Sequence, residues 1–173
     1  HAYAAAVGAT VGIIYNMNIV EIAESLSSNY RPAKRRMNLI QGIKNTHIID
    51  DSYNASPLSM QQAVETLRDL KTERKIAILG DMLELGEYSL EAHEEIGRLA
   101  AKSVDFLVTV GQNGKVIALA AEKAGLTKDK ILSFNKAEEA VDAVKNIIQK
   151  GDLVLIKASR GIGLDKIVDS LKI

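Results

Sequence analysis

From residue 37 to the end of the chain, short aliphatic runs alternate with segments of helical period. The runs occupy 37–41, 46–49, 75–79, 106–110, 131–134 and 153–156. Between most of them lie apolar stripes at helical spacing: Met60, Ala63, Val64 and Leu67; Ile96, Leu99 and Ala100; Val116, Ile117, Leu119 and Ala120; Val141, Val144, Ile147 and Ile148; Leu164, Ile167, Val168 and Leu171. Strands alternating with helices of this length build βαβ units and a mainly parallel sheet. The runs are nearly continuous Ile, Val and Leu, as strands need when helices cover both faces. The predicted class is therefore α/β, a mainly parallel sheet with helices on both faces.

Upstream the pattern differs. Residues 2–15 read as an Ala-rich helix, and 19–27 as a second helix with Ile19, Ile22, Ala23 and Leu26 on one face. The polar, basic stretch Asn29-Tyr30-Arg31-Pro32-Ala33-Lys34-Arg35-Arg36 reads as a linker. The expected organisation is a helical segment (1–28), a linker (29–36) and an α/β domain (37–173). The chain opens on His1 inside a helical pattern, without a cap or an initiator Met, so a truncated start is expected.

Composition narrows the function classes. Charged residues are 25% of the 173, but 22 cations balance 22 anions, which gives no basic footprint for nucleic acid or an anionic membrane surface. Aromatic residues are 4%, too few for base-stacking platforms. Without cysteine there is no disulfide, zinc–thiolate site or thiol nucleophile. The apolar start is too short to span a bilayer and contains Gly8, Thr10 and Gly12. A cytoplasmic location is expected.

In an open parallel sheet, ligands sit outside the carboxyl ends of the strands. Polar segments follow the runs there: Asp50-Asp51-Ser52-Tyr53-Asn54-Ala55-Ser56-Pro57, Gly80-Asp81-Met82-Leu83-Glu84-Leu85-Gly86-Glu87, Gly111-Gln112-Asn113-Gly114 and Lys157-Ala158-Ser159-Arg160-Gly161. The opposite edge carries Thr72-Glu73-Arg74, Ser103-Val104-Asp105 and Lys150-Gly151-Asp152, which read as solvated turns. Ser56-Pro57 is a helix start. One of Asp50 and Asp51 points back into the sheet edge by strand alternation and needs a partner there. Lys157 to Gly161 offers cations, a hydroxyl and a helix N-terminus, a receptor for an anion. His93, on the helix after the acidic loop, reads as a surface or packing residue rather than a ligand. The chain has no HExxH, GxSxG or GxxxxGK[ST] pattern.

Three of these segments, 49–57, 79–87 and 157–161, resemble the Mur ligase family, and the acidic run 80–87 resembles its branch that adds D-alanyl-D-alanine. The resemblance runs from end to end of the chain. It implies a Rossmann-like carboxyl-terminal domain, preceded by helices from the end of a central ATP-binding domain. The implied activity is ATP-dependent. A UDP-N-acetylmuramoyl-tripeptide carboxylate is phosphorylated, and the amine of D-alanyl-D-alanine attacks the acyl phosphate, with Mg2+ neutralising the phosphates. The P-loop and the metal ligands are expected in the remaining amino-terminal and central domains, so this chain alone is expected to be inactive. By matching positions, His1, Arg36, Asp51 and Tyr53 are implied at the ATP, with Asp51 accepting from the ribose hydroxyls. Asn54, Asp81, Glu84, Ser159 and Arg160 are implied at the dipeptide, with Arg160 suited to its carboxylate. The sequence departs from the family at Ser56, where Asn is usual, and at Arg35, where many relatives have Gly. Two other readings stay open: a related ligase with another amine, such as a polyglutamate-adding enzyme, and an α/β binding domain without catalysis.

Overall fold

The computed structural model describes residues 2–29 and 33–173. His1, Tyr30, Arg31 and Pro32 lie outside the described residues. The chain divides into two compact units, one ending at Lys34 and the other Arg35–Ile173.

The first unit is a helical pair, α1 (Ala2–Ile14) and α2 (Ile19–Asn29). Asn18 starts α2: its Oδ1 accepts from the Val20 and Glu21 N–H groups, and the Glu21 carboxylate accepts in return from Asn18 N–H. A Cβ on Gly12 would lie 2.8 Å from Ile22, so glycine lets the helices touch and Ile22 become buried. Val7, Val11, Ile14, Ile19 and Val20 remain exposed within the unit.

The second unit carries six strands, β1 (Asn38–Gly42), β2 (Thr46–Asp51), β3 (Lys75–Gly80), β4 (Phe106–Val110), β5 (Ile131–Phe134) and β6 (Leu153–Lys157). Its helices are α3 (Pro57–Asp69), α4 (Ser89–Ala101), α5 (Gly114–Lys123), α6 (Ala137–Ile147) and α7 (Asp165–Leu171). The sheet order is β1-β2-β6-β3-β4-β5. β1 is antiparallel to β2, and every other pairing is parallel.

Alternation along the strands sorts side chains into two cores. Ala77, Leu79, Leu107, Leu153 and Leu155 face α3, α4 and α5, where Met60, Val64, Leu67, Ile96 and Ile117 meet them. Ile76, Ile78, Val108, Val154 and Ile156 face α6 and α7, against Val144, Ile148, Ile167 and Leu171. Burying each large aliphatic side chain contributes roughly 1.5–3 kcal/mol. Right-handed crossovers explain the sorting. The chain steps one way from β2 through β3 and β4 to β5, so α3, α4 and α5 share a face. It then returns to β6 in mid-sheet, which sends α6 to the other face.

Local chemistry sets the joints. Ser56 caps α3, accepting from Ser59 N–H, with Pro57 in the first turn, as the sequence indicates. Gly97 lets α4 approach α5, since a Cβ there would sit 2.3 Å from the Ile117 carbonyl oxygen. An exposed hydrogen bond ties Lys166 of α7 to Glu138 of α6, holding the Glu138 carboxyl below its usual pKa and the Lys166 ammonium above. The amino edge differs from its reading as solvated turns at Ser103 and Val104, which are buried, and at Asp152. Asp152 is buried, pairs with Arg74 at 2.8 Å and accepts from Gln149 N–H. Through these bonds its carboxylate ties two turns together. No helix among the described residues is long and apolar enough to cross a membrane.

Candidate functional site

The crossover reversal creates a switch point at β6. Its chain leaves toward α7 on one face, whereas β2 and β3 on either side leave toward α3 and α4 on the other. A crevice opens beyond the carboxyl ends of such strands. The segments 50–57, 80–87 and 157–161 converge there.

Beneath the crevice lies a buried ion pair. Lys157, the last residue of β6, is 1% exposed, and its Nζ donates to Asp51 Oδ2 at 2.5 Å and to the Asn54 carbonyl at 2.9 Å. Asp51 Oδ1 accepts from Met37 N–H at 3.0 Å. Both members of the acidic pair are buried, and Asp51 has as its partner a cation on the adjacent strand. Asp50 folds back on Ser52 instead, accepting from both its N–H and its hydroxyl. One expectation is corrected here. Lys157 is not a receptor for an external anion, because its charge is enclosed and neutralised by Asp51.

Above this pair, the exposed side chains form a rim. The Arg36 guanidinium carbon lies 4.5 Å from the centre of the Tyr53 ring, and that of Arg160 lies 5.6 Å from it. Both distances are within cation–π reach. Two fixed cations, carried by segments far apart in sequence, are therefore gathered on one aromatic ring. Asn54 is exposed beside them in sequence. Arg35, read as linker, belongs to this unit. Its side chain reaches Asp165 at 2.7 Å, and its carbonyl accepts from Tyr53 N–H at 3.1 Å. Arg35 has φ 62. Glycine adopts that left-handed backbone without the cost a Cβ brings.

The acidic loop is fastened by its backbone. Ser159 is buried; its N–H donates to the Asp81 carbonyl at 3.0 Å, and its Oγ accepts from Leu83 N–H at 2.9 Å and faces the Ala55 carbonyl at 3.5 Å. Asp81 is also buried, and its Oδ1 accepts from Gly114 N–H at 2.6 Å at the start of α5. Glu84 is exposed and has φ 66, a left-handed backbone for a residue with a Cβ. The inferred site residues therefore fall into two sets. Arg36, Tyr53, Asn54, Glu84 and Arg160 face solvent, whereas Asp51, Asp81 and Ser159 are buried and hold the loops. His1 lies outside the described residues.

Of the two readings of His93, surface or packing, the structure has packing, with a hydrogen-bonding role that the sequence does not indicate. His93 is fully buried on α4, and its Nε2 accepts from Met82 N–H at 2.9 Å. Its Nδ1 lies 2.6 Å from the Ser89 carbonyl. A carbonyl only accepts, so Nδ1 carries the proton and Nε2 is left as the acceptor. The signal for packing was available: Ala92, His93, Ile96, Gly97 and Ala100 form one inward stripe at helical spacing.

Among the described residues no group of three or more His, Asp or Glu side chains could hold a metal ion. An apolar groove of about 340 Å³ between α4 and α5, lined by Leu90, Val116, Leu119 and Ala120 among others, includes none of the site residues.

The sequence family described as "Mur ligase, glutamate ligase domain" matches residues 35–160. The UDP-N-acetylmuramoyl-tripeptide–D-alanyl-D-alanine ligase of Bacillus subtilis is 39% identical over 138 residues, 79% of this chain and 30% of that protein. The enzyme of the same name from Rickettsia prowazekii is 35% identical over 154 residues, 87% of this chain and 32% of that protein. A crystal structure of MurF from Acinetobacter baumannii superposes with a TM-score of 0.76 at 30% identity, covering 95% of this chain and 35% of that one. MurF from Thermotoga maritima, in complex with ADP, superposes with a TM-score of 0.72 at 26% identity, covering 93% of this chain and 35% of that one. The chain spans about a third of the length of these relatives. The match over most of the second unit, with relatives up to 39% identical, establishes that this chain belongs to the Mur ligase family.

Proposed function

We propose that this chain is the carboxyl-terminal part of an ATP-dependent ligase that joins D-alanyl-D-alanine to UDP-N-acetylmuramoyl-tripeptide in peptidoglycan precursor synthesis in the cytoplasm. The observation that carries the reading is the pair Arg36 and Arg160 gathered over Tyr53 at the sheet's switch point. Two of the three substrates present an anionic group to such cations: the nucleotide its phosphates, the dipeptide its carboxylate. Two guanidiniums gathered at one ring suit anionic groups, because a guanidinium stays charged and offers a planar fork of donors.

In this reading the tripeptide carboxylate takes the γ-phosphoryl group of ATP and releases ADP. The dipeptide amine then attacks the acyl carbon, the amide forms, and phosphate leaves. Magnesium, when bound, neutralises the phosphates, and its ligands belong to the central domain. Arg36 meets the nucleotide phosphates, and Arg160 the dipeptide carboxylate. Asp51 meets the ribose hydroxyls with the lone pairs left over from Met37 and Lys157. Glu84 and Asn54 line the approach of the amine. Asp81 and Ser159 act by holding the loops. The helices α1 and α2 close the central domain, whose remainder covers their exposed apolar residues.

The two arginines should separate kinetically. Arg160→Gln in the proposed ligase is expected to raise the KM for D-alanyl-D-alanine roughly tenfold to hundredfold, the loss of one charged hydrogen-bonding contact, and to leave the KM for ATP nearly unchanged. Arg36→Gln is expected to do the reverse. Steady-state kinetics with each substrate varied in turn checks this. Equal effects of both variants on both KM values would remove the assignment of one anion to each arginine.

A further inference from the structure

We infer that His93 is a positioning residue for the amine subsite, an inference that rests on the ligase reading above. Among the described residues, the hydrogen-bond partners of His93 are Met82 and Ser89, not the rim residues. It acts through Met82, whose N–H it accepts at 2.9 Å from a fully buried position.

The run from Asp81 to Glu84 is fastened at successive residues by different elements. The Asp81 carbonyl is held by Ser159 N–H, the Asp81 carboxylate by Gly114 N–H, and Leu83 N–H by the Ser159 hydroxyl. The Met82 bond is the only one of these fastenings that comes from α4. Immediately downstream stands Glu84, exposed and left-handed at φ 66. A residue with a Cβ keeps such a backbone only where its surroundings impose it. The bonds at 81, 82 and 83 are that imposition from the upstream side, and His93 contributes the middle one. Its tautomer is fixed by the Ser89 carbonyl, so the ring presents an acceptor, not a donor, to the loop. Removing that acceptor frees Met82 N–H in a buried place and relaxes the direction of the Glu84 carboxylate.

The test uses the proposed ligase with ATP, magnesium, UDP-N-acetylmuramoyl-tripeptide and D-alanyl-D-alanine. His93→Leu, similar in volume, is expected to raise the KM for the dipeptide about tenfold while the KM for ATP stays within about twofold. His93→Gln, whose side-chain oxygen can accept from Met82 N–H, is expected to restore most of the dipeptide KM. His93→Asn, too short to reach Met82, is expected to behave as His93→Leu does, and serves if the leucine variant does not fold. Amide exchange at Met82 is expected to quicken in the Leu and Asn variants and not in Gln. A fall in kcat with both KM values unchanged would overturn the inference, as would equal rises in both KM values or failure of Gln to rescue. If the unmodified ligase shows no turnover that depends on the dipeptide, the underlying reading fails instead, and the two failures are distinct.

Discussion

Lys157→Met is expected to destabilise the fold by about 3–5 kcal/mol, the characteristic cost of removing one partner from a buried ion pair. Lys157 is 1% exposed and Asp51 9%. Without the ammonium, the Asp51 carboxylate is left with the Met37 N–H as its hydrogen-bond donor and no compensating charge. The double variant Lys157→Met with Asp51→Leu removes both charges and is expected to recover most of the loss, because a well-packed apolar pair often replaces a buried ion pair at little cost. Urea denaturation of the wild type, the single variant and the double variant checks this. A single variant as stable as the wild type would mean that Lys157 and Asp51 are not paired in solution. The pair also bears on the site. Asp51 carries Met37, next to Arg36, and Lys157 carries the Asn54 carbonyl. The double variant should therefore fold well and yet bind nucleotide poorly.

Gly111→Ala is the second large effect. Gly111 has φ +108, and a Cβ built there would lie 2.3 Å from Asp81 Oδ1. Backbone strain alone costs about 1–3 kcal/mol, and forcing the carboxylate aside adds about 1–3 kcal/mol more. Gly125→Ala separates the two contributions. Gly125 has φ +106 with nothing within 4 Å of its Cβ position, so alanine there meets only the backbone strain. The difference between the two variants in denaturation reports the contact with Asp81. Equal losses would mean that the carboxylate does not stand against Gly111. Because Asp81 anchors the loop that carries Glu84, Gly111→Ala should also weaken dipeptide use, whereas Gly125→Ala should not.

The strands and helices were legible because their periods differ, and the two cores follow from alternation within runs such as 75–79 and 153–156. The order of strands was not. Nothing local in Leu153–Lys157 says that it inserts between β2 and β3, since that depends on which edges remain open when the earlier strands have paired. The antiparallel pairing of β1 likewise depends on a tight connection in which Lys44 and Asn45 adopt positive φ. At the site, the parallel arrangement of β2, β3 and β6 brings the segments that follow them to one edge of the sheet, as their order in the sequence suggests. That order could not divide them into exposed and buried groups. Lys157 and Arg160 read alike as cations three positions apart, yet one is enclosed with Asp51 and the other lies over Tyr53. Arg35 and Arg36 are neighbours, yet the first is bound to Asp165 and the second stacks on Tyr53. Burial decides such cases, and burial is a property of the assembled sheet.

In the proposed ligase, this domain serves the joining of D-alanyl-D-alanine to a UDP-muramoyl tripeptide. The most direct measurement follows phosphate release by the proposed ligase with ATP, magnesium and UDP-N-acetylmuramoyl-tripeptide, adding D-alanyl-D-alanine or single amino acids in turn. Release that requires the dipeptide, with one amide product formed per phosphate, is the predicted result. Release driven by another amine alone, or by none of them, would contradict it.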